Sequence, residues 1–340
     1  MPKVSVIILS YNSLEETTKP CLESIYNCKT NIDFATVVVD NLSTDGTRDY
    51  LESICDNYKN LHLIFNDNNY GYAKGNNIGI CSIQADYYVL LNSDTIVTDY
   101  WLDKFVEFFD YHAEVGMAGP VSNSVGSGQR IWCQGVTQDE ILNEGEEWSK
   151  LCEGDFFFTD MLGFFCVFIR KEVFKKIGLL DEQFGIGMFE DDDFCLRVQQ
   201  KGYKMACLEY VFIYHKGSVS FKNLEKDYQK LFLENAFKFE TKHQRKWYTH
   251  YRPSSITTLV NTYLNNNSDN FEKTRKKIIN KLQVIDSMEI IDFLEYVKLK
   301  EGIKKAKSKS LSIKKAKEMI KKSIGEKRWQ ILKKYLRKLD

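Results

Sequence analysis

Proline is scarce in this chain, four residues in 340, which excludes proline-rich linkers and collagen-like repeats. Long apolar runs are absent as well. The longest, residues 4–9 and 164–169, fall far short of the roughly 18–20 apolar residues of a membrane-spanning helix. The opening Met1-Pro2-Lys3 leads at once into a strand-like run. It lacks the longer apolar segment and small-residue cleavage site of an export signal, so the expectation is a cytoplasmic protein. The nine cysteines form no Cys-x-x-Cys pair. That spread fits reduced structural thiols better than a disulfide framework or a zinc site.

Net charge is missing too, but only as a sum. From Ser268 to Asp340 there are 22 Lys and Arg against 10 Asp and Glu, a net of +12, and Met1 to Asn267 has 25 against 37, a net of −12. An acidic body is followed by a basic tail. With 43% apolar and 28% charged residues the chain has the composition of a folded protein. Its length suits about two domains.

What is present is an alternation of strand and helix signals. Residues 4–9, 36–39, 61–65 and 87–91 are short apolar runs that read as buried strands. Between them lie helical patterns at 14–26 and 47–58 and a short helix ending near 83. This alternation predicts βαβ units and a parallel sheet. Further on, 101–111, 171–177, 190–200 and 224–246 read as helices, 164–170 and 205–214 as strands, and 116–154 as irregular. The basic tail reads as amphipathic helices at about 271–299 and 311–338. In a parallel sheet ligands bind beyond the carboxyl ends of the strands. Those ends carry Tyr11, Asn12, Asp40, Asn66, Asn92 and Asp94.

Three groups of residues carry chemistry. Asn92-Ser93-Asp94 ends the fourth strand; oxygen ligands so placed suit a hard cation such as Mg²⁺ or Mn²⁺, though the same residues also make turns and caps. Glu190-Asp191-Asp192-Asp193 opens a helix. Adjacent carboxylates raise one another's pKa, which suits one of them to be a general base; acids in a first turn also complement the helix dipole. His215 ends a strand, and imidazole is a competent metal ligand. The glycine-bearing stretch from Asn69 to Asn77, with Gly71 and Lys74, permits close backbone approach to a phosphate or sugar. It is neither a dinucleotide fingerprint nor a P-loop.

The order of these motifs resembles the inverting family 2 glycosyltransferases of the GT-A fold, over roughly residues 3–221, and is most similar to their bacterial rhamnosyltransferase-like branch. The resemblance rests on the run from Val4 to Asn12, on Val39 to Thr47, on Asn69 to Asn77, on Leu90 to Thr95, on Gly178 to Phe184 and on Glu190 to Phe194. It implies an α/β fold, a Rossmann-like mixed sheet flanked by helices, with the basic helical C-terminal region appended. The implied divisions are a catalytic domain at 1–220 (nucleotide half 1–95, acceptor half 96–220), a helical extension at 221–267 and the basic region at 268–340. It also implies roles. Ser10, Tyr11 and Asn12 would meet the nucleotide, and Asp40 its base. Asn69, Gly71, Lys74, Asn77, Asn92, Ser93 and Gly163 would line the donor. Asp94 and His215 would hold a divalent cation, Mn²⁺ or Mg²⁺. Asp191 would be the base, supported by Glu190 and Asp193.

The implied activity is transfer of a sugar from a nucleotide-diphosphate sugar to an acceptor hydroxyl with inversion. UDP-hexose, UDP-N-acetylhexosamine and dTDP-rhamnose all fit as donors, with UDP-sugars favoured. Surface polysaccharide, lipid-linked glycan and protein all fit as acceptors. Two other classes remain. A nucleotidyltransferase would carry a basic Gly-rich loop after the first strand, where this chain has Ser10 to Leu14. A non-catalytic binder would not need Asp94, Asp191 and His215. The tail suits an ordinary packing surface, contact with an anionic inner leaflet or self-association. No nucleic-acid-binding motif accompanies its charge.

Overall fold

The computed structural model describes residues 1–217, 228–247, 258–260, 262–263 and 271–287. Two compact units are distinguished: residues 1–125 with 135–248, and residues 126–134 with 249–340. The first unit holds an eight-stranded sheet. Strands β1 (Val4–Ser10), β2 (Phe34–Asp40), β3 (Leu61–Phe65) and β4 (Tyr87–Asn92) lie in the order β3-β2-β1-β4, all parallel. They are the four apolar runs of the sequence, and β1 and β2 are buried nearly throughout, as strands covered on both faces must be.

Beyond β4 the direction changes. Strand β8 (Cys166–Arg170) pairs antiparallel with β4 and with β6 (Val115–Val121). Strand β9 (Lys204–Phe212) runs parallel to β6, and β7 (Phe156–Phe158) closes the edge antiparallel to β9. The sheet is therefore mixed, parallel in its first half and largely antiparallel in its second. A second, two-stranded ladder pairs β5 (Thr95–Ile96) with β10 (Tyr214–His215).

Helix α1 (Lys19–Asn27), α2 (Thr47–Cys55) and α3 (Gly71–Ser82) connect the parallel strands. The expected helix over 14–26 is continuous, but its first turn, Leu14–Thr18, is π-wound before α1. Pro20, at the start of α1, has no N–H to continue the ladder. Helix α4 (Trp101–Tyr111) lays Trp101, Phe105 and Phe109 over Phe168 of β8.

The stretch expected to be irregular, 116–154, contains β6 and helix α5 (Gln138–Leu151). Strand β6 reads VGMAGPV, and its glycines and proline hide a strand that is buried from end to end. Pro120 is tolerated because the register shifts between it and Val121. Helix α5 starts at a full capping box, Thr137 with Glu140. Helices α6 (Lys171–Ile177), α7 (Glu190–Gln200) and α8 (Tyr228–His243) complete the described part of this unit.

In the second unit the helix Phe271–Ser287 grips the segment 126–134. Asn280 exchanges two backbone hydrogen bonds with Trp132, and the buried Lys281 donates to the carbonyls of Gly128 and Arg130. The expected helical tail beyond residue 287 lies outside the described residues, as does much of the expected extension over 221–267.

Candidate active site

The carboxyl ends of β1 and β2 are tied to each other. Asn12 N–H donates to Ser43 Oγ at 2.8 Å, and Asn12 Oδ1 accepts from Thr44 N–H at 2.8 Å. Asn12, Ser13 and Leu42 all take left-handed backbone angles, which cost a non-glycine residue about 1–2 kcal/mol each. Five of the seven such residues described lie here or at Met188–Phe189, so backbone strain gathers where loops leave the sheet. Tyr11 stands 49% exposed at the crevice, open to stacking. Ser10 is buried, with its hydroxyl against Thr18.

Asp40 is fully buried at the end of β2. Its Oδ2 accepts from Ser43 N–H at 3.0 Å and Arg48 Nε at 2.6 Å, while Oδ1 has no partner among the described residues. Arg48 also donates to the Asn66 carbonyl and lies over the Phe65 ring. The sequence reading missed Arg48; the signal was a cation eight residues after the strand-end acid.

The side chains of the Asn69–Asn77 stretch make several contacts within the chain. Asn69 Oδ1 accepts from Gly71 N–H and from Asn41. The Asn77 amide donates to the Leu180 carbonyl and to Glu182, and accepts from Leu180 N–H, all at 2.9–3.0 Å. Both side chains are thus engaged in joining loops. Lys74 lies 3.7 Å from the centre of the Tyr70 ring. Gly71 has φ +78°, and a Cβ there would sit 2.2 Å from the Gly185 carbonyl oxygen. The adjacent Tyr72 N–H donates to the Ile186 carbonyl at 3.0 Å. The start of α3 therefore rests directly on the loop that precedes α7.

The short ladder of β5 and β10 brings Asp94 and His215 together. His215 pairs with Thr95, and its Nε2 lies 3.2 Å from Asp94 Oδ1. His215 Nδ1 lies 2.6 Å from the Ser124 carbonyl, which assigns the proton to Nδ1 and turns the Nε2 lone pair toward the carboxylate. Phe165 stacks on the ring. Burial opposes a charged imidazole, but the Asp94 carboxylate and the Ser124 carbonyl outweigh it, and the His215 pKa is raised above its ordinary value. Two acceptors facing each other at this distance fit a shared proton or a cation. Among the described residues no third His, Cys, Asp or Glu joins them. Asn92 and Ser93 precede Asp94, half-buried, with no side-chain hydrogen bond among the described residues.

The four acids of α7 have four different environments. Asp193 is fully buried and neutralised by Arg197 at 2.8 Å, Lys242 at 2.5 Å and His243 at 2.7 Å. Asp192 accepts from the Trp247 indole N–H at 3.0 Å. Glu190 is buried with Oε2 unpartnered among the described residues, and its pKa is pushed up to about 8, first by burial and then by Asp191. Asp191 is half-buried and its Oδ1 accepts from Asp192 N–H. Burial is the largest cause at Glu190, with repulsion from Asp191 and Asp192 adding to it, and Asp193 belongs to a salt-bridge network.

Tyr72 links the two groups. Its hydroxyl donates to the Phe164 carbonyl at 2.7 Å, beside Gly163. Its pKa is raised well above the usual phenol range, first by desolvation and then by the charges of Glu190, Asp191 and Asp94, among others. Tyr72, like Arg48, Trp247 and His243, was not singled out from the sequence.

The profile of the family described as Glycosyl transferase family 2 matches residues 5–178, just over half of the chain. This chain belongs to that family. Among similar proteins is the teichoic acid poly(glycerol phosphate) polymerase of Staphylococcus epidermidis, 33% identical over 111 residues, 32% of this chain and 15% of that protein. This family 2 glycosyltransferase thus spans only a small part of that relative's length. Similar solved structures include GalNAc-T7 with UDP, GalNAc and Mn²⁺ (TM-score 0.52, 14% identity, 72% of this chain and 55% of the other). Another is the mannosyltransferase PcManGT from Pyrobaculum calidifontis with GDP-Man and Mn²⁺ (TM-score 0.50, 14% identity, 98% and 85%). At such identity they establish the glycosyltransferase fold. Asp191 and His215 lie beyond the family match.

Proposed function

We propose that this family 2 glycosyltransferase moves a sugar from a nucleotide-diphosphate donor to an acceptor hydroxyl, inverting the anomeric carbon. One observation carries the reading: Tyr72 joins the two acidic segments, its N–H held by the Ile186 carbonyl in the loop that leads to Glu190 and Asp191, and its hydroxyl by the Phe164 carbonyl, next to the Phe165 carbonyl that accepts from Asn92, two residues before Asp94. A leaving-group site and a base site within one crevice are what such a transfer needs.

In this reading Asp191 takes the proton of the acceptor hydroxyl as that oxygen bonds to the anomeric carbon. The bond from that carbon to the diphosphate oxygen breaks on the opposite face, and the diphosphate leaves with the electron pair. Asp94 and His215 would hold a divalent cation, which when bound would neutralise charge on the leaving diphosphate. With two protein ligands, phosphate oxygens and water would complete its shell. The Mn²⁺ of GalNAc-T7 and of PcManGT supports this. Tyr11 would stack on the base. The buried Oδ1 of Asp40 suits the imide N–H of a uracil or thymine, and UDP in GalNAc-T7 favours a UDP-sugar. The teichoic acid polymerase supports an acceptor in surface-glycan assembly.

The test is a panel of UDP-sugars, GDP-mannose and dTDP-rhamnose, read by release of nucleotide diphosphate with Mn²⁺ and with chelator. Metal-dependent release of nucleoside diphosphate, lost in Asp94→Ala with the fold retained, is expected. Pyrophosphate release, or full turnover in excess chelator, would refute the reading.

A further inference from the structure

The residue that fixes the direction of Asp191 lies outside both the acidic run and the family match. Helix α7 starts from a loop with two consecutive non-glycine residues in the left-handed region, Met188 (φ 75°) and Phe189 (φ 77°). Nothing in their side chains favours that backbone, so the surroundings must impose it. One side of the loop rests on Gly71 and Tyr72, as described above. The other side meets α8. There the fully buried Asn235 turns its amide nitrogen to three carbonyls of the loop: Phe184 at 2.8 Å, Gly187 at 2.9 Å and Met188 at 3.2 Å. Its amide oxygen accepts from Lys238 Nζ at 3.0 Å. Around it the apolar residues Phe184, Phe189 and Phe239 are packed with Phe232 and Trp247. A buried amide in an apolar cluster, with its donor nitrogen directed at the loop and its oxygen held by Lys238, sets the geometry of that loop.

We infer that Asn235 is the positioning residue for Asp191: its amide holds the Met188–Phe189 turn and so aims the first turn of α7 at the acceptor hydroxyl. The inference rests on the reading of Asp191 as the base. An aliphatic side chain of similar size would fill the volume but withdraw the donor from the carbonyls of Phe184, Gly187 and Met188. Asparagine satisfies both the volume and the carbonyls.

The test uses the full chain and the nucleotide sugar of the panel above that releases its diphosphate fastest. Asn235→Ala is expected to lower kcat by about 10- to 100-fold, the effect of a small misplacement of a catalytic group, with donor KM and the Kd of the free nucleotide diphosphate unchanged. In an Asp191→Asn background the same substitution is expected to have no further effect, because it acts through a base that is no longer there. Asn235→Ser is measured beside it; should the alanine variant fail to fold, the serine variant decides by the same criteria. A folded variant with wild-type kcat would overturn the inference. So would an equal fall of the residual rate in the Asp191→Asn background. If Asp191→Asn itself retains turnover, the assignment of the base fails, a result distinguishable from a harmless Asn235→Ala in a chain that does depend on Asp191.

Discussion

At the residue scale the acidic run shows how burial and partners divide identical chemistry. Asp193 is committed to Arg197, Lys242 and His243, and Asp192 accepts from Trp247. Asp191→Asn, which keeps shape but removes basicity, is expected to lower turnover by about 10²–10⁴ with donor binding retained, as steady-state kinetics and calorimetry would read. An Asp192→Asn variant more damaged than Asp191→Asn would reassign the base. Glu190 makes a separate prediction. Its folded pKa of about 8 lies above the ordinary carboxyl value of 4.5, so it keeps its proton in the folded state after the unfolded chain has lost it. The stability it contributes is full below about pH 4.5 and is lost as pH rises through about 8. Between pH 5 and 9 the wild-type melting temperature should therefore fall more steeply than that of Glu190→Gln. Parallel slopes would show that burial does not hold that proton.

At the element scale the site depends on how loops seat on each other. Gly71 and Gly178 both have positive φ, +78° and +81°, but a Cβ at Gly178 meets nothing within 4 Å whereas one at Gly71 strikes the Gly185 carbonyl at 2.2 Å. Alanine at Gly178, where ψ is −173°, should cost about 1–3 kcal/mol of stability, the backbone penalty alone. Gly71→Ala should cost roughly 1–3 kcal/mol more, the range for overpacking, and should also slow turnover because the displaced loop leads into α7. Denaturant titration of the two variants separates these terms, and equal losses would mean that the loop yields freely. The β5–β10 ladder is the other such element. It is only two residues long on each strand, yet it sets the 3.2 Å approach of His215 to Asp94.

At the scale of the whole molecule the basic segment is divided. The helix Phe271–Ser287 supplies donors to the carbonyls of Gly128, Arg130 and Trp132, so a chain ending near Asn267 would leave those groups unpaired. A cut after Ser287 removes residues that carry 17 Lys and Arg against 7 Asp and Glu without touching that contact. Such a shortened chain is expected to keep donor turnover and to lose sedimentation with phosphatidylglycerol vesicles, since each basic residue near an anionic surface contributes about 1 kcal/mol. Undiminished vesicle binding would show that the charge beyond Ser287 is not what attaches the protein. Among the described residues no helix is long and apolar enough to cross a membrane.

The sequence by itself determined the alternating strands and helices of the first half, the strand ends that carry Tyr11, Asp40 and Asp94, and the position of the acidic run. These are local signals: a β-branched run or a first-turn acid is legible without its neighbours. Strand β6 and helix α5 were hidden because the glycines and proline of β6 imitate a loop. The tertiary structure alone decided the rest. It set His215 against Asp94, gave Asp40 its Arg48 and gave Asn69 and Asn77 their loop contacts. It also brought Asn235 under the turn that carries Asp191. The pairings of His215 with Asp94, Asn77 with Leu180 and Asn235 with Met188 join segments far apart in the chain, and a lone histidine or asparagine carries no periodicity to announce its partner; Arg48, only eight residues from Asp40, was the one within local reach.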